Sequence, residues 1–420
     1  MKEQREIKLY MLIFAFISVC FLNLSFIDNK FQYFALALGV VIIILISYSN
    51  FVLRRYFANG DKYLLIFSNL LAVIGIIMLF RLDSKLAIKQ VIWLTLGICA
   101  FIVFIIIIEN LEKYAKYKYI FLVVTVVMMS LGTLFGKETM GAKNWVSFFG
   151  ISFQPSEIGK ITLVLYLAAA LKDYNKKFVC KNKFDEYVNK LKIKESIKKL
   201  TEPAFVVMVC LGFMVLQRDL GSALIVFVIS ITILYIVTGK MKYIISSLGL
   251  FVIGSVSSYF LFSHVKLRVD IWLDPWNPTY ATGKSYQIVQ GLRAICSGGF
   301  FGTGLGLGHP DIIPVVESDF IYAAICEEMG VLMGVAILLL YFILCYRAMR
   351  VAIKVKDTFS RLIVVGLTTM IAAQALVIVG GILGLIPLTG ITLPWISYGG
   401  SSMLILHIAL AIIQKVSEEA

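Results

Sequence analysis

Long runs of apolar residues dominate the sequence, and most have the length that crosses a bilayer's hydrocarbon core, about 20 residues. A backbone in lipid must satisfy its own hydrogen bonds, which a helix does within one segment. The sequence therefore predicts an all-α polytopic membrane protein with about twelve transmembrane helices. The twelve apolar blocks are residues 9–27, 33–49, 63–81, 90–108, 119–135, 157–171, 203–217, 221–238, 244–263, 320–346, 362–385 and 396–414.

Two of these blocks, 157–171 and 203–217, are short for a full crossing, so ten or eleven helices is the alternative count. Only 15% of the residues are charged, against about 25% in a soluble domain. The first block has no small-residue cleavage site after it and is interpreted as an anchor. A single integral membrane domain, 1–420, is predicted, with N-terminal helices at 9–135, central helices at 141–263, a large loop at 264–319 and C-terminal helices at 320–414.

The lysine and arginine residues predict the orientation of the chain. With a cytoplasmic N-terminus, the inner connections carry 27 basic residues and the outer connections carry 11. Because cytoplasmic connections are enriched in basic residues, both termini are predicted to be cytoplasmic and the 56-residue loop 264–319 extracytoplasmic. Ten of the 39 basic residues lie between Lys172 and Lys199. The net charge of +14 therefore indicates a loop beside anionic membrane lipid and argues against a nucleic-acid partner.

The segment "GAKNWVSFFGISFQPSEIGKI" (141–161) places charges in the short sixth block. Pro155 and Ser156 mark a helix start, with the serine as the expected cap. Glu157 and Lys160 then lie three residues apart on one face of that helix. Both charges are costly in lipid unless they pair or face water. A structural ion pair and the charged wall of a polar cavity are the two interpretations.

Acidic residues also stand at the edges of two other blocks. In "LQRDLGSAL" (216–224), Asp219 is either an interfacial anchor or part of the same cavity. In "VVESDFIYAAICEEMG" (315–330), Asp319 ends the large loop and Glu328 lies inside a predicted helix. An acid at that depth is either paired or functional.

The large loop combines acids, aromatics and glycines. Asp270 and Asp274 lie near its start. Further along, Gln287 and Gln290 alternate with apolar residues at helical spacing, which predicts an amphipathic helix on the membrane surface. The stretch "GGFFGTGLGLG" (298–308) lacks the ending of a nucleotide-binding loop. It predicts either close packing or a set of backbone N–H groups that bind an anion.

Near the C-terminus, "LIPLTGITLPWISYGGSSML" (385–404) combines prolines and glycines with Ser397, Tyr398 and Ser401. Irregular backbone at membrane depth is tolerated only where it is buried or lines a cavity. The seven cysteines and three histidines show no metal-binding spacing, so the sequence leaves any metal ligands unknown.

These segments, in this order, resemble the SEDS family of bacterial membrane proteins, which comprises the RodA, FtsW and SpoVE groups. The matching stretches are "GAKNW…FQPSEIGK", "QRDLGSAL", "LDPW…SYQIVQ…SGGFFGTGLGLG", "SDFIYAAICEEMG" and "IPLTGITLPWISYGGSS". They run from residue 141 to residue 404, about 60% of the chain. The two additional N-terminal helices resemble the RodA group more than the ten-helix form.

The resemblance implies a peptidoglycan glycosyltransferase that polymerises lipid II on the outer face of the bacterial cytoplasmic membrane, for cell shape, division or sporulation. The implied partner is a class B penicillin-binding protein, which crosslinks the strands. The donor sugar is α-linked to undecaprenyl pyrophosphate and the product is β-linked, so a single inverting displacement is expected. A carboxylate would deprotonate the acceptor hydroxyl. Cations, backbone N–H groups or a divalent ion, Mg²⁺ or Mn²⁺, would stabilise the leaving pyrophosphate.

The chain departs from the family at its critical loop aspartate, which lies in a pattern like P-W-x-D-P…G-Y-Q. Here residues 275–278 read PWNP, and Asn277 cannot serve as a base. We expect Asp274 to take this role, with Asp270 as the next carboxylate and Asp319 as a second candidate for the metal or base role. The implied substrate-binding residues are polar and aromatic residues of the matching stretches: Glu157, Lys160, Lys143, Trp145, Asp219, Trp276, Tyr286, Gln287, Gln290, Glu328, Ser397, Tyr398 and Ser401.

Two other classes of function remain as alternatives. A flippase for a lipid-linked sugar would use the charged residues of a cavity, and transporters often carry internal repeats. No repeat relates the halves of this chain. A non-catalytic activator of a class B penicillin-binding protein would explain the asparagine at 277. The large asymmetric loop favours the enzyme.

Overall fold

The computed structural model describes residues 2–26, 31–57, 59–139, 142–148, 151–174 and 195–420. Most of the lysine-rich segment 172–199, predicted as a cytoplasmic loop, lies outside these ranges. Within the described residues, eleven helices are long and apolar enough to cross a membrane. The structure confirms an all-α polytopic membrane protein and agrees with the alternative count of ten or eleven.

The chain divides into two compact units. The first comprises Met1–Glu109, Ser258–Arg350 and Ile371–Ala420, and the second comprises Asn110–Ser257 and Val351–Met370. The prediction of one integral membrane domain stays a prediction. The helices of the described residues are α1 Lys2–Leu24, α2 Tyr33–Tyr56, α3 Tyr63–Leu82, α4 Ser84–Ile107, α5 Lys118–Phe135, α6 Pro155–Leu171, α7 Glu195–Leu216, α8 Leu220–Thr238, α9 Met241–Leu261, α10 Ser263–Leu273, α11 Pro278–Ala281, α12 Tyr286–Gly298, α13 Ile321–Lys354, α14 Thr358–Ile382 and α15 Gly400–Glu419.

Three short strands precede α6 and were not expected from the sequence. They are β1 (Lys137–Thr139), β2 (Ala142–Phe148) and β3 (Ile151–Phe153), paired antiparallel in the order β1-β2-β3. The aromatic and β-branched residues of this stretch favour strands. The backbone N–H of Lys143 donates to the carbonyl of Gln217, 3.0 Å away. The strands therefore attach to the turn between α7 and α8.

Helix α6 begins where the sequence predicted, but its cap differs. Gln154 is the N-cap residue and makes no side-chain cap hydrogen bond, and Pro155 is the first helical residue. Ser156 therefore lies inside the first turn, and the predicted serine cap is wrong. Proline lacks an N–H and has the helical φ, so it starts the helix without needing a cap at that position. The 17 residues of α6 span about 25 Å, less than a hydrocarbon core of about 30 Å.

The large loop 264–319 is mostly helical. It contains nearly all of α10, the single turn α11, and α12, which confirms the predicted amphipathic helix. Ile288, Val289 and Ala294 of α12 are buried, and Arg293 is exposed. Beyond the loop, α13 is interrupted at Gly330, whose φ is 84°. The segment 383–399 between α14 and α15 has no regular helix, as its prolines and glycines predicted.

Candidate functional site

In the second unit, Glu157 and Lys160 form a buried ion pair on α6. The Nζ atom of Lys160 donates to Oε1 of Glu157 at 2.8 Å, and the two side chains are 0% and 5% exposed for lysine and glutamate. The other carboxylate oxygen of Glu157 has no hydrogen-bond partner among the described residues, and neither has the neighbouring Ser156 hydroxyl. The pair predicted from the sequence is therefore present. Because Oε2 of Glu157 is unpartnered within the described residues, the interpretation as a wall of a polar cavity also remains open.

Asp219 begins α8 and binds two neighbouring segments. Its carboxylate accepts from the backbone N–H and the hydroxyl of Ser222, both at 2.9 Å, so it is the N-cap of the helix. It also accepts from the side-chain amide of Asn144 on β2, at 3.2 Å. Arg218 has a left-handed φ of 61°, which turns the chain between α7 and α8. Asp219 thus has a structural role, and Asn144 is a partner that sequence reasoning missed.

The two predicted substrate-binding residues of β2 lie on either side of Asn144. The side chain of Lys143 is exposed, and that of Trp145 is half-buried. Gln217 supports this region from the adjoining turn. Its amide donates to the carbonyl of Met129 at 2.5 Å and to the hydroxyl of Thr133 at 3.0 Å.

In the first unit, the acids of the large loop have different surroundings. Asp270 lies on α10 and accepts from the hydroxyl of Tyr259 at 3.3 Å. Asp274 is the C-cap residue of α10 and is exposed, with no hydrogen-bond partner for its carboxylate in the described chain. Asn277 is the N-cap of α11, and its side-chain oxygen accepts from the N–H of Thr279 at 3.0 Å. Asn277 therefore holds the turn into α11.

The predicted aromatic and amide residues of the loop lie just before α11 and on α12. Trp276 is 51% exposed, and the Arg293 guanidinium lies 5.4 Å from its ring centroid. Tyr286 and Gln290 are half-buried on α12. Gln287 donates to the carbonyl of Pro314 at 2.8 Å. This bond joins the start of α12 to the end of the loop.

The carboxyl group of Asp319 has a raised pKa. Burial raises its pKa to about 6, which the Ser318 hydroxyl and the nearby Arg268 partly oppose. The Ser318 hydroxyl donates to Asp319 at 2.9 Å. Arg268 itself donates to the carbonyl of Thr389 at 3.4 Å. A carboxyl group with a pKa near neutrality, beside a cation, is suited to acid–base chemistry.

The segment 383–399 packs against Asp319 through its serine and tyrosine. The Ser397 hydroxyl donates to the carbonyl of Ser318, and the N–H of Tyr398 donates to the carbonyl of Glu317 at 2.9 Å. Gln90 of α4, which sequence reasoning missed, donates to the carbonyl of Ser397 at 3.0 Å. The structure thus brings Asp319, Ser397 and Tyr398 together. Ser401 is half-buried in the first turn of α15.

Glu327 and Glu328 bind the glycine-rich stretch 298–308. Oε2 of Glu328 accepts from the N–H of Gly306 at 2.9 Å, and Oε1 of Glu327 accepts from the N–H of His309 at 3.1 Å. The N–H groups at 303 and 304 donate to the backbone carbonyls of the same two glutamates. Because these N–H groups already have partners within the protein, the geometry favours close packing over an anion site.

Arg81, at the end of α3, binds both Glu328 and the glycine-rich stretch. Arg81 lies 3.0 Å from the Glu328 carboxylate and donates to the carbonyl of Gly308 at 3.1 Å. The Glu328 side chain is 0% exposed. The sequence placed Arg81 at the last position of an apolar block, where a cation is usually an interfacial anchor, so its partner was not predictable.

The candidates thus form separate groups. Glu157, Lys160, Lys143, Trp145 and Asp219 belong to the second unit. The loop acids, the α12 residues, Glu328 and the residues of 397–401 belong to the first. Within the described ranges, no group of three or more His, Cys, Asp or Glu residues is arranged to hold a metal ion.

Comparison with a family model identifies the family of this chain. The model FTSW_RODA_SPOVE, described as "Cell cycle protein", matches residues 61–420. The chain belongs to the FtsW, RodA and SpoVE family. The resemblance seen in the motifs is therefore confirmed, and both α1 and α2 precede the matched region.

Curated relatives agree with this membership. The chain is 36% identical over 395 residues to the peptidoglycan glycosyltransferase RodA of Mycobacterium tuberculosis, covering 91% of this chain and 83% of the relative. It is 31% identical over 376 residues to a probable peptidoglycan glycosyltransferase FtsW of Geobacter metallireducens, covering 85% and 94%. Stage V sporulation protein E of Bacillus subtilis is 29% identical over 375 residues, covering 86% and 97%. The RodA-like prediction is confirmed.

Two solved structures share the fold. A chain of a peptidoglycan synthase complex that coordinates polymerization and crosslinking has a TM-score of 0.68 at 23% identity, covering 86% of this chain and 98% of that chain. The rod shape determining protein RodA of Thermus thermophilus has a TM-score of 0.60 at 24% identity, covering 87% and 98%.

Proposed function

We propose that this protein is a peptidoglycan glycosyltransferase that polymerises lipid II into glycan strands. One observation carries the proposal: the chain matches a RodA of that name at 36% identity over 91% of its length. The grouping of Asp319 with Arg268, Ser397 and Tyr398 supports it, because the site combines a perturbed acid with a nearby cation. The product strands serve cell shape, division or sporulation.

Asp274 and Asp319 each meet one requirement of a general base. Asp274 is exposed, so it is free to reach a substrate hydroxyl. Asp319 is half-buried, and desolvation raises its pKa to about 6, which makes it the stronger base once deprotonated. We propose that one of these two removes the proton from the acceptor hydroxyl as that oxygen attacks the anomeric carbon of the donor. Asp270, held by Tyr259, is the third candidate.

The orientation and partner also follow from the basic residues and the relatives. The bias of lysine and arginine favours cytoplasmic termini and an outer loop 264–319, which requires the short helix α6 to cross the membrane together with the eleven longer helices of the described residues. Lipid II and the released undecaprenyl pyrophosphate are therefore bound at the outer membrane surface. A class B penicillin-binding protein is the proposed partner, because a structurally similar chain belongs to a complex that couples polymerization to crosslinking.

We propose a divalent ion, Mg²⁺ or Mn²⁺, as a cofactor only if it binds together with the pyrophosphate of the substrate. The described residues offer no three-ligand cluster for such an ion. Mg²⁺ is often bound through one or two carboxylates together with substrate phosphates. Polymerisation assays with and without added ion would show whether one is required.

Purified protein, together with its class B penicillin-binding protein, tests the function on lipid II. We expect glycan chains from the wild type, and a loss of at least 100-fold from whichever of Asp274→Ala and Asp319→Asn removes the base. No chains from a folded wild-type complex with active substrate would refute the enzyme. Lipid-linked sugar transport without polymer would then indicate the flippase, and neither activity the non-catalytic activator.

The pH profile separates the two acids. If Asp319 is the base, the rate should rise with pH through about 6 and level off above it. Its folded-state pKa of about 6 lies above the usual value for an aspartate, so protonated Asp319 stabilises the fold at low pH and this stability is lost as the pH rises through 6. Asp319→Asn should therefore fold at least as well as the wild type at pH 7. A lost activity with a lowered melting temperature would contradict this.

Restoring an acid at position 277 provides a second test. Asn277→Asp should keep the N-cap of α11, because aspartate and asparagine cap helices equally well. It would also supply a carboxylate at the family's aspartate position. We expect polymerisation to rise by tenfold or more if the wild type lacks an efficient base. An unchanged rate would show that another acid already serves. Asn277→Ser, which keeps a cap without a carboxylate, is the matched control.

A further inference from the structure

Two adjacent phenylalanines on the glycine-rich stretch 298–308 are directed away from the rest of the first unit. Phe300 is 74% exposed and Phe301 is 85% exposed. No residue of this stretch is charged. Contiguous exposed apolar surface of this kind marks contact with another protein or with a membrane.

The backbone that carries the two rings is held firmly against the kink in α13. The carbonyl of Gly299 accepts from the N–H of Val331 at 2.9 Å, and the carbonyl of Phe300 accepts from the N–H of Leu332 at 3.2 Å. A Cβ added at Gly330 would clash with the carbonyl oxygen of Phe300, so the two backbones are in direct contact. The rings therefore have no space to turn inward on that side.

Beyond the kink, α13 has a continuous exposed apolar face. One residue in every three or four is exposed, which is the spacing of a single helix face. These residues are Leu332, Val335, Leu339, Phe342 and Tyr346. Because α13 is long and apolar enough to cross a membrane, this face is suited to lipid hydrocarbon. The backbone bond between Phe300 and Leu332 places the two rings at the end of that face, on the side of the loop 264–319.

The length of this face shows how deep the rings lie. Tyr346 marks the opposite end, where the Arg350 guanidinium lies 5.9 Å from its ring centroid, since aromatic and basic residues gather at the membrane–water interface. From Tyr346 to Leu332 the helix rises about 21 Å, against a hydrocarbon core of about 30 Å. About 9 Å of hydrocarbon therefore remains beyond Leu332, and helix tilt would enlarge this remainder. Phe300 and Phe301 are the exposed apolar residues that adjoin Leu332 on that side.

We propose that Phe300 and Phe301 insert into the membrane leaflet next to the loop 264–319 and contact the acyl chains of bulk phospholipid. The proposal does not depend on the proposed enzymatic activity. Lipid is favoured over a protein partner because the rings continue a transmembrane face and lie, by the length of that face, within the hydrocarbon core. The N–H groups of Thr303 and Gly304 donate to backbone carbonyls of α13, so the irregular backbone beside the rings is partnered by the protein at this depth.

The test is photocrosslinking of the full chain in nanodiscs made of one synthetic phosphatidylglycerol, with no polyprenyl lipid added. The photoreactive residue p-benzoylphenylalanine replaces Phe301, and intact-mass spectrometry detects phospholipid adducts. Leu339, 55% exposed on the transmembrane face, is the positive control. Asp311, an exposed residue of the same loop whose carboxylate requires water, is the negative control. We expect adduct at position 301 close to that at 339 and at least tenfold above that at 311.

Two results would overturn the proposal. The first is adduct at position 301 no higher than at 311 while position 339 is labelled. The second is crosslinking from position 301 mainly to polypeptide, either a second copy of this chain or a co-reconstituted class B penicillin-binding protein. That result would make the two rings a protein-binding surface.

Fluorescence provides an independent measurement of the same contact. Phe301→Trp keeps an aromatic side chain at an exposed position and should fold like the wild type. In nanodiscs whose phospholipid is brominated on the acyl chains, the fluorescence added by the new indole should be quenched at least twofold relative to unbrominated lipid. Asp311→Trp should show no such quenching. Equal quenching of the two variants, or none in either, would contradict insertion of the rings.

Discussion

Glu328→Ala is expected to destabilise the protein by about 3–5 kcal/mol, because it leaves Arg81 facing a site from which the opposite charge has been removed. The substitution also frees the N–H of Gly306, which the carboxylate accepts at 2.9 Å. The glycine-rich stretch should then lose its bond at Gly306, while its backbone bonds to Glu327 and Glu328 remain. Thermal unfolding in detergent should show an apparent midpoint lowered by several degrees, and lipid II polymerisation should fall with it.

A second ion pair of similar length provides the control. Arg218 and Glu138 lie 3.1 Å apart, but their side chains are 43% and 51% exposed. Exposed pairs contribute about 0–1 kcal/mol, so Glu138→Ala should change the midpoint little. Glu328→Gln, which keeps an acceptor for Gly306, should fall between the two. Equal midpoints for Glu328→Ala and Glu138→Ala would show that the Arg81 contact does not stabilise the fold.

Lys160→Met is expected to cost about 3–5 kcal/mol as well, because it removes the lysine that pairs with the buried Glu157 carboxylate. The double variant Glu157→Gln with Lys160→Met removes both charges and should regain most of that stability. Thermal unfolding of the two single variants and the double variant forms a complete cycle. Additive losses would contradict a coupled pair.

The same double variant separates the two interpretations of the pair. If Glu157 and Lys160 only stabilise α6, a stable double variant should polymerise lipid II at close to the wild-type rate. If they form part of a substrate cavity, it should be stable and at least tenfold less active. The unpartnered oxygen of Glu157 and the unpartnered hydroxyl of Ser156, judged within the described residues, favour the second outcome.

The helices and several site residues were predictable because their signals are local. Apolar runs required by the bilayer marked the membrane helices. The proline at 155 marked the start of α6, and the spacing of Glu157 and Lys160 predicted their contact, since residues three apart share a helix face. The serine cap failed because proline occupied the first helical position. The strands of 137–153 were missed, since three short strands leave a weak pattern in a chain dominated by helices.

The sequence by itself determined the membrane class, the positions of the helices and, through its motifs, the family, because each depends on composition or order along one segment. Only the tertiary structure decided the partners of isolated polar residues. Arg81 meets Glu328 across 247 positions of sequence, and Gln90 holds Ser397 from a distant helix. A charge buried in an apolar fold must find a counter-charge, but which one it finds depends on how the helices pack.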